Sequence, residues 1–104
     1  MRYNFKYNIY KRVPANSTVE EIMTPCVDCT LEIDVISGTA PYQSNCSVEL
    51  LFGTDIIFTT HGDKTDSTGF VLYGSVGKSL YFRFINTSTN EETMGLTIAG
   101  NISE

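Results

Sequence analysis

The sequence predicts an all-β protein, an antiparallel β-sandwich of roughly seven to eight short strands. Three observations predict it. Apolar residues recur with period two through most of the chain, the signature of strands with one buried face. Clusters of Gly, Pro, Asn and Ser separate these runs at intervals of roughly ten residues. The length of 104 residues suits one core and leaves no room for a second, so residues 1–104 form a single domain.

Each element follows from its own pattern. In "YNFKYNIY" the residues Tyr3, Phe5, Tyr7 and Ile9 share one face, and Asn4, Lys6, Asn8 and Tyr10 share the other. "STVEEIM" admits two readings. Ser17 with Glu20 three residues on fits a helix capping box, while Val19, Glu21 and Met23 fit one face of a strand. "TLEIDVIS" places Leu31, Ile33 and Val35 inward, with Glu32 and Asp34 outward. "SVELLF" aligns Val48, Leu50 and Phe52. "DIIFTT" and "GFVLYG" are short apolar runs. "SLYFRFIN" sets Leu80, Phe82 and Phe84 opposite Tyr81, Arg83 and Ile85, and "TMGLTIAG" aligns Met94, Leu96 and Ile98. The segments "VPANST", "SGTAPYQSN", "HGDKTDSTG", "GSVGK" and "NTSTNEE" read as turns and loops.

Charge narrows the function classes. Seven basic and twelve acidic residues give a net charge of −5, which disfavours nucleic acid as a partner. The charge is unevenly spread, because Arg2, Lys6, Lys11 and Arg12 fall within the first twelve positions with no acid among them. Lysines on an edge strand guard against mispairing, and a basic strand on an acidic body also attracts acidic surfaces of neighbours. No apolar run is long enough for a membrane-spanning helix, and "MRYNFKYNIYKR" lacks the apolar region of a signal peptide. The expectation is a cytoplasmically made protein with reduced thiols.

The chemistry-bearing residues are few. Cys26, Cys29, Cys46 and the single histidine, His61, are the right residue types for a tetrahedral zinc site. Cys46 and His61 lie in different loops, however, and no metal is favoured. A redox role needs Cys-x-x-Cys at a helix N-terminus, and here the pair leads into a strand. "GSVGKS" lacks the first glycine of a phosphate-binding loop, since Leu72 occupies its place. Asp63 and Asp66 are spaced by three rather than alternating as in calcium loops. One histidine, no nucleophile motif and the adjacent Glu91 and Glu92 assemble no catalytic set, so no enzyme and no cofactor are expected. Asn-x-Ser/Thr sequons occur at Asn16, Asn45, Asn86 and Asn101. Tyr10, Tyr42, Tyr73 and Tyr81 are candidates for stacking on sugars, although the chain has no Trp.

Aromatic residues line both faces of "YNFKYNIY" and "SLYFRFIN", which calls for a second burial surface beyond the core. This plan, with "VPANSTVE" followed by "ISGTAPY", resembles the Ig-like or jelly-roll-like accessory proteins of tailed-phage virions, such as capsid decoration and head- or tail-associated proteins. The resemblance covers the general layout of the whole chain. It implies a non-catalytic structural and assembly role on a repetitive protein lattice in the virion, with other virion proteins or copies of itself as partners. "ISGTAPY" is also similar to pieces of bacterial surface Ig-like repeats. That likeness implies the alternative of a cell-surface adhesion or carbohydrate-binding module. The expected partner-binding residues are Lys6, Lys11 and Arg12, read as a cationic outer face of the first strand, together with Tyr10, Tyr81 and Arg83. The apolar face of the first strand enters the chain's own core or, by strand donation, that of another copy.

Overall fold

The computed structural model describes residues 2–24, 28–42, 45–73 and 79–103, except for the side chains of Thr68 and Tyr73. These residues form eight strands and no helix: β1 (Arg2–Val13), β2 (Ser17–Met23), β3 (Thr30–Thr39), β4 (Cys46–Phe52), β5 (Asp55–Thr60), β6 (Lys64–Tyr73), β7 (Leu80–Asn86) and β8 (Glu92–Ser103). β1 pairs with β8, β2 with β7, β3 with β6 and β4 with β5, all antiparallel. Such pairs are the rungs of one long hairpin whose tip is β4–β5. Two further pairings, β3 with β8 and β4 with β7, roll that hairpin onto itself. The outcome is two four-stranded sheets, ordered β1-β8-β3-β6 and β2-β7-β4-β5. Of the two sandwich types named above, this is the jelly roll.

Alternation along each strand fills the space between the sheets. Ile9 and Val13 of β1, Leu31, Ile33 and Ile36 of β3, and Met94, Leu96 and Ile98 of β8 face Val48, Leu50, Leu80, Phe82 and Phe84 from the other sheet. Phe82 and Phe84 are fully buried, each contributing roughly 2–3 kcal/mol through apolar burial. The Tyr7 ring meets the Phe82 ring edge-on, 5.5 Å between centroids. The apolar face of β1 therefore belongs to the chain's own core, and β1 is hydrogen-bonded to β8 along its whole length from Arg2 to Val13.

Three expectations are corrected. Val35 faces outward and Ile36 inward, because β3 advances from Ile33 to Val35 while β8 advances only from Gly100 to Ala99. Asp34 is the extra residue of a β-bulge, which reverses the facing of everything after it. Its carboxylate accepts a bond from Asn101 Nδ2 at 3.3 Å. A side chain at position 100 would run into the Glu32 carbonyl, so only glycine lets β8 approach the bulge. The helical reading of "STVEEIM" gives way to the strand, since Val19, Glu21 and Met23 lie opposite Phe84, Phe82 and Leu80. The polar run 64–69 is not a loop but the first half of β6. That strand lies at a sheet edge, where polar residues are tolerated, and Thr65 Oγ1 and Ser37 Oγ share a hydrogen bond of 2.9 Å across β3 and β6.

Both open sides of the sandwich are closed by charge. Lys11 and Glu21 sit on the inward faces of the edge strands β1 and β2, and Lys11 Nζ meets Glu21 Oε2 at 3.0 Å. On the far side, Lys64 Nζ of β6 reaches Asp66 Oδ2 at 3.4 Å and stands over the Phe58 ring. Inward-pointing charges on edge strands hinder pairing with another chain.

Candidate functional site

The residues singled out for partner binding divide between two opposite faces and the interior. Lys6, Tyr10 and Arg12 lie on the outer face of the sheet containing β1. Tyr81 and Arg83 lie on the outer face of the other sheet. Lys11 belongs to neither, because its odd position puts it on the inner face with Ile9 and Val13, and Glu21 engages its charge. The expected cationic trio on one face is thus reduced to Lys6 and Arg12, a correction that follows directly from period two.

On the outer face of the β2-β7-β4-β5 sheet, register sorts side chains into rows. Ile22, Tyr81, Leu51 and Ile56 are direct neighbours across all four strands. Ile22 is 56% and Ile56 55% exposed, while Leu51 is buried between them without joining the main core. The next row is Glu20, Arg83 and Glu49. Arg83 Nε lies 3.2 Å from Glu20 Oε2, and its Nη1 lies 3.7 Å from Glu49 Oε1. The Arg83 charge is therefore balanced within the chain, and Tyr81 sits in an apolar row beside it. Sequence reasoning missed Ile22, Leu51 and Ile56. The signal was present in "ELLF" and "DIIF", where adjacent apolar residues on one strand make both faces apolar.

On the outer face of the other sheet, small residues of β8 and β3 make a trough of about 570 Å³ beside β1. Lys6, Asn8, Tyr10, Ser37, Thr97 and Ala99 line it, with Val35 placed outward by the bulge. The Tyr10 ring lies over Gly95, where a Cβ would collide with it, and Tyr10 remains 63% exposed. Thr97 Oγ1 donates to Asn8 Oδ1 at 2.6 Å, which leaves the Asn8 amide N–H groups facing other partners. A second cavity of about 390 Å³ is lined by Thr39, Ala40, Pro41, Tyr42, Asp63 and Thr93. Thr39 is the β3 neighbour of Gly95, on which the Tyr10 ring lies, and the two cavities share no lining residue. Tyr42 is 83% exposed.

Among the described residues no three metal-ligating side chains converge, although Cys46, expected in a loop, is the first residue of β4 and lies beside His61. Cys29 is disulfide-bonded, contrary to the expectation of reduced thiols, and Cys26 lies outside the described residues. Cys46 Sγ points into the core and donates to Asn86 Oδ1 at 3.4 Å. Burial pushes the Cys46 thiol above its ordinary pKa and the Glu92 carboxylate adds to this, against a smaller opposing hydrogen bond from Ser88. His61 Nδ1 donates to the Cys46 carbonyl at 3.0 Å rather than meeting a thiol. Asp66 lies in β6, paired with Lys64, and does not join Asp63 in a loop. "GSVGK" lies outside the described residues.

The sequons acquire structural explanations. Asn16 and Asn45 have φ of 53° and 50°, a left-handed turn geometry that Asn tolerates. Asn86 is fully buried. Its Nδ2 donates to the carbonyls of Val13, Pro14 and Asn90, and its Oδ1 also accepts from Ser88 N and Oγ. Asn101 lies near the end of β8, where its Nδ2 donates to Asp34 Oδ2 at 3.3 Å.

Comparison of the chain with protein-family models, with curated proteins and with solved structures finds no match in any of the three.

Proposed function

We propose that this jelly roll is a non-catalytic assembly module that seats the outer face of its β2-β7-β4-β5 sheet on a repeated protein surface. The setting is that of a virion accessory protein, a capsid decoration or head- or tail-associated component, with other virion proteins or copies of itself as partners. The observation that carries the reading is the apolar row Ile22, Tyr81, Leu51 and Ile56, with both isoleucines at its ends more than half exposed. Leu51 is already buried, and covering the exposed half of each isoleucine recovers roughly 1 kcal/mol apiece on docking. The neighbouring Glu20–Arg83–Glu49 row offers a polar rim of fixed geometry. The eight-stranded jelly roll is also an architecture that recurs in capsid proteins. The disulfide at Cys29 suits a particle that spends time in oxidising surroundings.

Copies of the chain provide the direct probe. Sedimentation equilibrium of the wild-type protein should give a mass that rises with concentration above the 11.6 kDa of one chain. Replacing Ile22→Glu together with Ile56→Glu should hold it at that mass with its β-sheet circular dichroism unchanged. A double variant that associates as well as the wild type would remove the row from the account.

A further inference from the structure

We infer that the trough beneath Tyr10, on the opposite sheet, is a binding site for an anionic oligosaccharide. This goes beyond the assembly reading and uses none of its residues. Three independent features of the trough point to the same ligand chemistry.

The first is the platform. Tyr10 leans from the edge strand β1 across Gly95 of β8, and the absent Cβ is what lets the ring lie down on the sheet. Stacking one ring face on backbone fixes the orientation, and 63% of the residue stays exposed. An aromatic face held in this way suits the C–H face of a pyranose ring, which binds by dispersion over a flat surface.

The second is the lining. Asn8, Ser37 and Thr97 project hydroxyl and amide groups into the trough. Thr97 occupies only the Asn8 oxygen, and Ser37 shares its hydroxyl with Thr65. Such groups donate and accept at once, matching vicinal sugar hydroxyls.

The third is the charge. In a protein of net charge −5, no carboxylate lines this trough. Among the described residues, Arg2, Lys11, Lys64 and Arg83 all have carboxylate partners. Lys6 and Arg12 have none, and both stand on the outer face of β1, on either side of Asn8 and Tyr10. Of the acids nearby, Glu32 faces Arg2 at 3.7 Å, Asp34 accepts from Asn101 and keeps its charge, and Asp63 lines the cavity at Tyr42; none of the three lines the trough. An unpaired ammonium at the end of a sugar-sized trough favours a carboxylate or sulfate on the ring. Two cations are too few to track a nucleic-acid backbone, which favours the sugar over a strand of DNA or RNA.

Titration calorimetry with trigalacturonate, a heparin-derived hexasaccharide and neutral cellohexaose tests the assignment. Binding of either anionic sugar, with cellohexaose at least about tenfold weaker, is the expected result. The carboxylated and sulfated arms tell which acid group is preferred. Lys6→Gln and Tyr10→Ala should each weaken binding about tenfold, and Tyr10→Phe should retain it, since the ring rather than the hydroxyl stacks. The Ile22→Glu, Ile56→Glu variant should bind as the wild type does, which separates this site from the assembly face. No anionic sugar bound at about 10 mM, equal binding of cellohexaose, or equal binding of an oligodeoxythymidylate would overturn the proposal.

Discussion

Asn86 shows how one buried polar residue organises an end of the sandwich. Its amide joins the exit of β1 to the turn before β8, and its oxygen holds Ser88 and the Cys46 thiol. In the sequence it reads as a glycosylation acceptor, because a sequon is defined by three residue types and says nothing of burial. Cys46, beside it, carries a titration that can be measured. Burial and Glu92 favour the neutral thiol in the folded state, so the folded protein holds this proton more tightly than the unfolded chain does. The resulting stabilisation is complete at neutral pH and is lost as the pH rises above about 8.5, where an unfolded thiol begins to ionise. Denaturant unfolding of wild type and Cys46→Ala across that range should show the wild type losing stability more steeply, with Tyr and Lys titrations common to both. Parallel pH profiles would contradict this.

Among the elements, β3 and β8 hold the least forgiving contact. The bulge at Asp34 and the bare backbone at Gly100 fit only each other, and a methyl group at position 100 meets the Glu32 carbonyl rather than a side chain able to swing aside. Gly100→Ala should therefore cost about 3 kcal/mol, the upper range of overpacking, read as a lowered denaturation midpoint with an unchanged slope. A change below about 0.5 kcal/mol would mean that the bulge relaxes freely. Five of the eight strands, β1, β3, β4, β7 and β8, were legible from period two, β5 and the second half of β6 from short apolar runs, and β2 was one of two readings. The bulge was not legible. Nothing in "TLEIDVIS" marks Asp34 as supernumerary, because the extra residue is specified by the partner strand's step at Gly100. The start of β6 was hidden for a related reason: an edge strand pairs on one side only, so its polar composition imitates a loop.

For the whole molecule, pairing into a rolled hairpin puts the two outer faces on opposite sides of one core and gives them different chemistry. One carries the apolar row from Ile22 to Ile56, and the other the Tyr10 trough with its unpaired cations. The sequence marked Lys6, Lys11, Arg12, Tyr10, Tyr81 and Arg83 as one binding set; period two alone removes Lys11 to the inner face, but alternation does not tell which sheet a strand joins. That information resides in long-range pairing. The central claim is that the two faces work separately, and mapping amide chemical shifts tests it most directly. Raising the protein concentration should move the signals of Ile22, Leu51, Ile56 and Tyr81, whereas adding trigalacturonate should move those of Lys6, Asn8, Tyr10 and Thr97, with no overlap between the sets. Both treatments shifting the same residues, or either leaving its own face unmoved, would contradict the account.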